Sequence, residues 1–368
     1  MFTSILVFIL VLSILVLVHE AGHFFAAKKA GILVEEFGFG IPPRIYGKKV
    51  GETIYSINLL PFGGFVRLHG ENTEDTITKP KRAFLNKSKK VRALIVTAGV
   101  IMNFVLAIFA FGIVYSFTGV PVQTDNVSIV EINKGSPAAS SDLKPGDIVK
   151  QVNGEDVKST NEFISILNKH LGQSVTLSVE RDSAIKQIEV NLRSNPGEDQ
   201  GALGVVISSS EVYYPPLWKR PFLGVYYGFR EAIFWGGIVI AGLVHIFSQL
   251  IHGTVPQDVA GPVGIYALTT EAAQLGVLTL VNFVGVLSVN LAILNIFPFP
   301  ALDGGRLLFI GIEAILGRKV VPKVESLIHT VGMVILLLLI LAITFYDVRR
   351  LIEAGGIQGF LQNVTQQQ

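Results

Sequence analysis

The chain contains no cysteine, and Asp, Glu, Lys and Arg make up only 16% of its 368 residues. The first absence excludes disulfides, thiolate metal sites and cysteine nucleophiles, so a bound metal would need nitrogen and oxygen ligands. The second separates the chain from soluble globular proteins, in which about 25% of residues are charged. An excess of one charge is also missing. Lys and Arg number 30 against 28 Asp and Glu, a net charge of +2, so composition implies no nucleic-acid partner. Residues 1–4 carry no basic side chain, and no small-x-small cleavage site follows the first apolar run. That run therefore reads as a retained membrane span rather than a signal peptide.

Apolar residues are abundant, at 50% of the sequence. They gather in runs at about 2–18, 94–118, 232–251, 277–298 and 331–346, each near the length that crosses a ~30 Å hydrocarbon core. The chain is thus expected to be a multi-spanning α-helical membrane protein with the lipid bilayer as its first partner. Between the first two runs, residues 28–92 form a basic loop that includes Lys28, Lys29, Arg44, Lys48, Lys49, Arg67, Lys79, Arg82 and Arg92. The positive-inside rule places this loop in the cytoplasm and the N-terminus outside. Within it, 36–40 and 58–66 are apolar but rich in Gly and Pro, and 52–59 alternates like a strand. These features suggest a membrane-associated β-hairpin whose open edge can capture an extended peptide. An ordinary cytoplasmic hairpin is the plainer alternative.

Residues 122–195 change character. Charge returns, and short strands at 127–130, 147–152, 175–179 and 185–192 alternate with turns around a helical stretch at 161–171. This reads as an inserted α+β domain. Its pattern G-S-P-A (Gly135–Ala138), L-x-P-G-D-I-V (Leu143–Val149) and V-N-G (Val152–Gly154) resembles PDZ domains, which implies an extracytoplasmic peptide ligand bound by strand addition.

The chemistry concentrates where the first apolar run ends, at His19-Glu20-Ala21-Gly22-His23. Residues four apart share a helix face, so His19 and His23 can hold one metal ion. Glu20 sits where a general base for a metal-activated water belongs. A soluble helix can carry two surface histidines at this spacing by chance. In lipid, however, an idle His-Glu-His cluster would cost several kcal/mol even on lenient scales. A catalytic zinc usually has three protein ligands. Asp303 offers a carboxylate at the helix break that ends the 277–298 run, beside Gly304 and Gly305 and after Pro298 and Pro300. A plain helix-terminating turn with a solvated Asp is equally compatible with those residues alone. The remaining histidines (His69, His170, His245, His252 and His329) read as solvated or interfacial residues.

H-E-x-x-H in a first span and N-x-x-P-x-x-x-L-D-G (Asn295 to Gly304) in a later one resemble the site-2 protease family of intramembrane metalloproteases. The PDZ-like insert narrows the resemblance to the bacterial regulator of sigma-E protease type with a single PDZ domain. The resemblance implies Zn2+ held by His19, His23 and Asp303, and Glu20 as catalytic base. Asn295 would hold substrate or stabilise the oxyanion, and the hairpin at Gly63, Gly64 and Phe65 would bind unwound substrate. It also implies single-pass transmembrane proteins, such as anti-sigma factors, or remnant signal peptides as substrates, in a bacterial cytoplasmic membrane. One departure stands in the second span, where Val100 replaces the proline common after Ala98-Gly99.

If Asp303 is a ligand, parity decides the topology. Four spans put Asp303 on the cytoplasmic side with His19 and His23, and both termini outside. The 232–251 run must then lie along the membrane as an amphipathic or re-entrant helix. The expected divisions are 1–121, the insert 122–195, a linker and surface helix at 196–276, and 277–368. Two other functions fit parts of the pattern. A metal transporter would show ligands in several spans and internal repeats, which are not visible. A non-catalytic PDZ scaffold would not need the His-Glu-His-Asp set.

Overall fold

A computed structural model of the protein describes residues 2–71, 77–197, 201–252, 260–318, 322–356 and 359. Two compact units emerge, one formed by Met1–Phe117 with Lys219–Gln368 and the other by Thr118–Trp218.

In the first unit, α1 (Phe2–Lys29) is followed by β1 (Val34–Val50), β2 (Thr53–Leu68) and α2 (Lys89–Thr118). After the inserted unit come α4 (Arg220–Ile251), α5 (Pro262–Leu275), α6 (Val277–Ile296), α7 (Asp303–Leu316) and α8 (Pro322–Glu353). Five of these helices, α1, α2, α4, α6 and α8, are long and apolar enough to cross a membrane. The chain is a multi-helix membrane protein. α1 is apolar through its first four turns and continues through the His-Glu-His motif to Lys28 and Lys29, cations that suit a helix C-terminus.

β1 and β2 are longer than the sequence pattern suggests and bend on themselves. Phe37 pairs with both Val66 and Tyr55, and Gly38 with both Phe65 and Ser56. The first half of β1 therefore lies between the two halves of β2, leaving 64–68 as an edge against α1. Behind it, Ala27, Ile32, Val34, Leu68, Phe84, Ile95 and Val96 form a buried cluster that joins α1, the sheet and α2. α7 is tied to α2 by a buried ion pair between Arg92 and Glu313, and Lys89 Nζ donates to the Glu313 carbonyl at 2.8 Å. Breaking either partner would leave an uncompensated buried charge.

α4 packs on α2 through glycines: a Cβ at Gly224 or Gly228 would collide with the backbone of Gly112 or Ile108. Ala107, Phe111, Ala232 and Val289 form the shared core of α2, α4 and α6. Eleven residues into α4, Glu231 accepts hydrogen bonds from Tyr115 Oη at 2.8 Å and Trp235 Nε1 at 3.1 Å.

The second unit is an α+β domain around its own core of Val127, Val149, Leu177, Val179, Phe163 and Leu167. Its strands β3 (Val120–Ile132), β4 (Ile148–Val152), β5 (Glu155–Asp156), β6 (Ser174–Arg181), β7 (Ala184–Asn191) and β8 (Val205–Tyr213) accompany α3 (Thr160–Lys169). The sheet order is β7-β6-β4-β3-β8, with β5 on β4. The unit is broader than the 122–195 stretch of the sequence pattern, because β8 returns to pair with β3 from Val120↔Tyr213 to Ile132↔Val205. Asp147, fully buried, accepts from Arg181 Nε at 2.6 Å and from the Lys144 N–H at 2.9 Å, pinning the Leu143–Asp147 turn.

Candidate active site

The HExxH turn of α1 lies against α2 at two glycines. A Cβ on Gly22 would overlap Ala98 and Gly99, and a Cβ on Gly99 would overlap both imidazoles, so only glycine permits this approach. Val100 lies within α2, which runs unbroken from Lys89 to Thr118.

Asp303 opens α7 just beyond the end of α6. A tight turn bonded from Leu302 N–H to Phe299 O (3.2 Å) and from Gly305 N–H to Leu302 O (3.1 Å) delivers it. Gly304 and Gly305 have no room for a side chain, because the Ile296, Phe297 and Phe299 carbonyls fill the space. The turn thus brings the carboxylate to the two histidines.

His19 Nε2 and His23 Nε2 are 3.1 Å apart, and Asp303 Oδ2 is 3.1 Å from the first and 3.2 Å from the second. Together these residues form a cluster able to hold a metal ion. His23 Nδ1 donates to the Ile95 carbonyl at 2.8 Å, which leaves its Nε2 as a bare lone pair. His19 Nδ1 faces the side-chain amide of Asn103 at 3.4 Å. Asn103 is fully buried and its Oδ1 has no partner. With the amide turned over, Oδ1 would accept the His19 Nδ1–H and leave His19 Nε2 bare as well. Asp303 Oδ2 is buried and engaged by no hydrogen-bond donor.

Three lone pairs converging without a proton between them repel one another unless a cation sits among them. Four tetrahedral ligands about 2.0–2.1 Å from zinc stand roughly 3.3 Å apart. The observed triangle fits that ion, and its fourth side opens into a cavity.

The cavity has a volume of about 210 Å³ and is lined by His19, Glu20, His23, Phe65, Ile95, Asp303 and Arg306 among others. That is ample for several waters. Glu20 and the edge strand meet here: a Cβ on Gly64 would lie 3.6 Å from Glu20 Cγ and 3.6 Å from Val16 Cγ1. Gly63 takes φ +85°, a left-handed conformation that turns the strand toward the site. Phe65 lines this cavity and a second one between the β1 bend and the edge, with Ile41, Pro42, Arg44 and Asn58. Asn295 reaches in from the last turn of α6, with Nδ2 3.5 Å from His19 Nε2.

Several site residues escaped the sequence reading. Gly99 and Asn103 come from α2. Arg306, at the cavity wall, pairs with Glu71, which also accepts from the Leu68 N–H at 3.1 Å. His69 departs from the solvated or interfacial residue expected, being buried between Glu35 (2.8 Å) and the Lys79 N–H (3.1 Å). His329 is half-buried, and its Nδ1 accepts from the Ala301 N–H at 3.1 Å.

Comparison with known proteins agrees with this chemistry. The model of peptidase family M50 matches residues 7–339. A zinc metalloprotease RasP of Geobacillus kaustophilus is 30% identical, with 94% of this chain and 98% of that one covered. The regulator of sigma-W protease RasP of Bacillus subtilis is 29% identical over 95% of this chain and 99% of its own length. A putative zinc metalloprotease of Clostridium acetobutylicum is 33% identical over 94% and 98%. Among solved structures, the PDZ domain of an SdrC-like protein from Listeria monocytogenes is 25% identical, covering 24% of this chain and 93% of that chain, with a TM-score of 0.21. The chain belongs to peptidase family M50 and is a membrane-embedded zinc metalloprotease.

Proposed function

We propose that His19, His23 and Asp303 hold the zinc, that Glu20 is the catalytic base, and that the reaction is hydrolysis of a peptide bond within a substrate's transmembrane segment. The observation that carries this reading is the convergence of three lone-pair atoms at 3.1–3.2 Å, at the wall of the cavity that Glu20 lines. Zinc supplies a Lewis acid that polarises the scissile carbonyl and brings water ionisation toward neutral pH. Glu20 accepts a proton from the attacking water and passes it to the leaving amine. The Asn295 amide, beside His19, donates to the oxyanion.

A transmembrane helix hides its carbonyls in its own hydrogen bonds, so the substrate must unwind first. The outer edge at 64–67 presents its backbone to the extended form, and Gly64 brings that form alongside Glu20. Anti-sigma factors and remnant signal peptides are the proposed substrates, in keeping with the sigma-W regulator among the relatives. The unit Thr118–Trp218 acts as a single PDZ domain that binds an extracytoplasmic peptide and screens substrates.

The site lies toward the cytoplasm, with four full spans (α1, α2, α6 and α8) and both termini outside. α4 lies along or dips into the membrane. Arg230 and Glu231 would be costly at mid-depth, and the Tyr115 and Trp235 partners of Glu231 are side chains favoured at an interface.

Glu20→Gln tests the mechanism. Cleavage of a reconstituted membrane substrate should vanish while zinc content stays unchanged; undiminished cleavage would sink it.

A further inference from the structure

The turn that delivers Asp303 is strained, and a histidine from another helix holds it. Ala301, two residues before Asp303, has φ +78°. Residues with a Cβ avoid this left-handed region, whereas glycine enters it freely. Such strain persists only where the surroundings over-determine it, and it gathers at functional sites. Here the surroundings are α8. The Ala301 N–H donates to His329 Nδ1 at 3.1 Å. Gly332, on the same face of α8, lies so close to Pro300 that a Cβ there would overlap it. The His329 ring also packs on Phe309 of α7, centroid to centroid 5.4 Å. α8 thus grips Pro300 and Ala301, and the chain leaves that grip directly into Leu302 and Asp303.

We propose that His329 is a positioning residue for the metal site: by accepting the Ala301 N–H it locks the strained turn that aims Asp303 Oδ2 at His19 and His23. It acts through the backbone and touches neither the ion nor the substrate. The inference rests on the reading of Asp303 as a zinc ligand.

The test measures zinc affinity of the full chain in detergent by competition with a chromogenic chelator, independently of activity. His329→Leu, which keeps bulk and removes the acceptor, should weaken zinc binding by about 10–100-fold, as loss of an outer partner commonly does. His329→Asn, whose Oδ1 can stand near the place of Nδ1, should stay close to the wild type. Ala301→Gly in the His329→Leu background should restore most of the affinity, because glycine holds φ +78° without help. If His329 only packs against Phe309, Asn will lose as much as Leu and glycine will rescue nothing; that outcome overturns the proposal, as does wild-type affinity in His329→Leu. Should His329→Leu alone fail to fold, the double variant is compared with Ala301→Gly alone, and any marked loss of affinity overturns the proposal. Asp303→Asn separates the two readings. Undiminished zinc binding there sinks the ligand assignment, whereas loss there without loss in His329→Leu sinks only the positioning role.

Discussion

Gly99 and Asn103 stand one turn apart on α2 and do complementary work on the same imidazole. Gly99 gives the rings room, and Asn103, with its amide turned over, would accept the His19 Nδ1–H and fix the tautomer. A histidine held in one tautomer presents its other nitrogen as a ready ligand, and partners of this kind typically contribute 10–100-fold to metal affinity. Asn103→Leu should therefore lower zinc affinity by about tenfold or more. Asn103→Asp, which can accept the same N–H, should retain it. A chelator-competition titration of the two variants checks this, and equal affinities would show that Asn103 is only filling space. The two proposed histidine ligands and Glu20 were legible in the sequence because their signal is local: two histidines four apart, beside an acid, at the end of an apolar run; Asp303 was marked out only by the family resemblance, since its own residues fit a plain turn equally well. Gly99, Asn103, Arg306 and His329 were not legible as a group. Each acts across a contact between helices far apart in the chain, and nothing in the spacing of one helix announces its partner on another.

At the scale of elements, the edge of β2 is the part most exposed to test. A Cβ at Gly64 meets Gly38 O at 3.0 Å and stands 3.6 Å from Glu20 Cγ. Alanine there needs only a small adjustment, whereas Gly64→Val forces branches onto Glu20 and narrows the path of a substrate strand. Displacement of a reacting group by about 1 Å can cost some 100-fold in rate. Gly64→Val should show a loss of that order in single-turnover cleavage with zinc content intact, and Gly64→Ala a far smaller one.

In the inserted unit, burial works against the charged form of Asp147, but its bonds to Arg181 and the Lys144 N–H hold the carboxyl below its ordinary range. A depressed carboxylate contributes stability that is complete above the unfolded pKa of about 4 and fades as pH falls through the lower folded value. Amide protection across Thr118–Trp218 in the full chain, taken relative to the intrinsic exchange rate at each pH, should fall in that acid window. Asp147→Asn should show lower protection at neutral pH and lose the acid-dependent fall.

The sequence pattern found most of this unit's strands but not β8. Its run Ser208-Ser209-Ser210-Glu211 lacks the apolar alternation of a strand, and only pairing with β3 makes it one. α7 escaped for the opposite reason: Leu307–Ile310 is apolar, but Gly304 and Gly305 before it read as a turn.

For the whole molecule, the meeting of α1 with the end of α6 constrains how the chain threads the membrane. Asn295 and Asp303 reach His19 only if α6 ends on the side where α1 places its motif. α2 runs away from that side, since Arg92 lies near α7 and Thr118 ends the helix at the inserted unit. On the proposed four-span topology, Arg220 and Leu275 then lie on the same side of the membrane. Composition alone favours a fifth span there; parity and the polar partners of Glu231 favour a helix held near the surface. Topology reporters decide between them. A fusion after His252 should score extracytoplasmic, and one after Arg318 cytoplasmic. If the His252 fusion scores cytoplasmic, α4 crosses fully and α5 must carry the chain back across the membrane, a passage for which its 14 residues are short of the roughly 20 that a perpendicular helix needs.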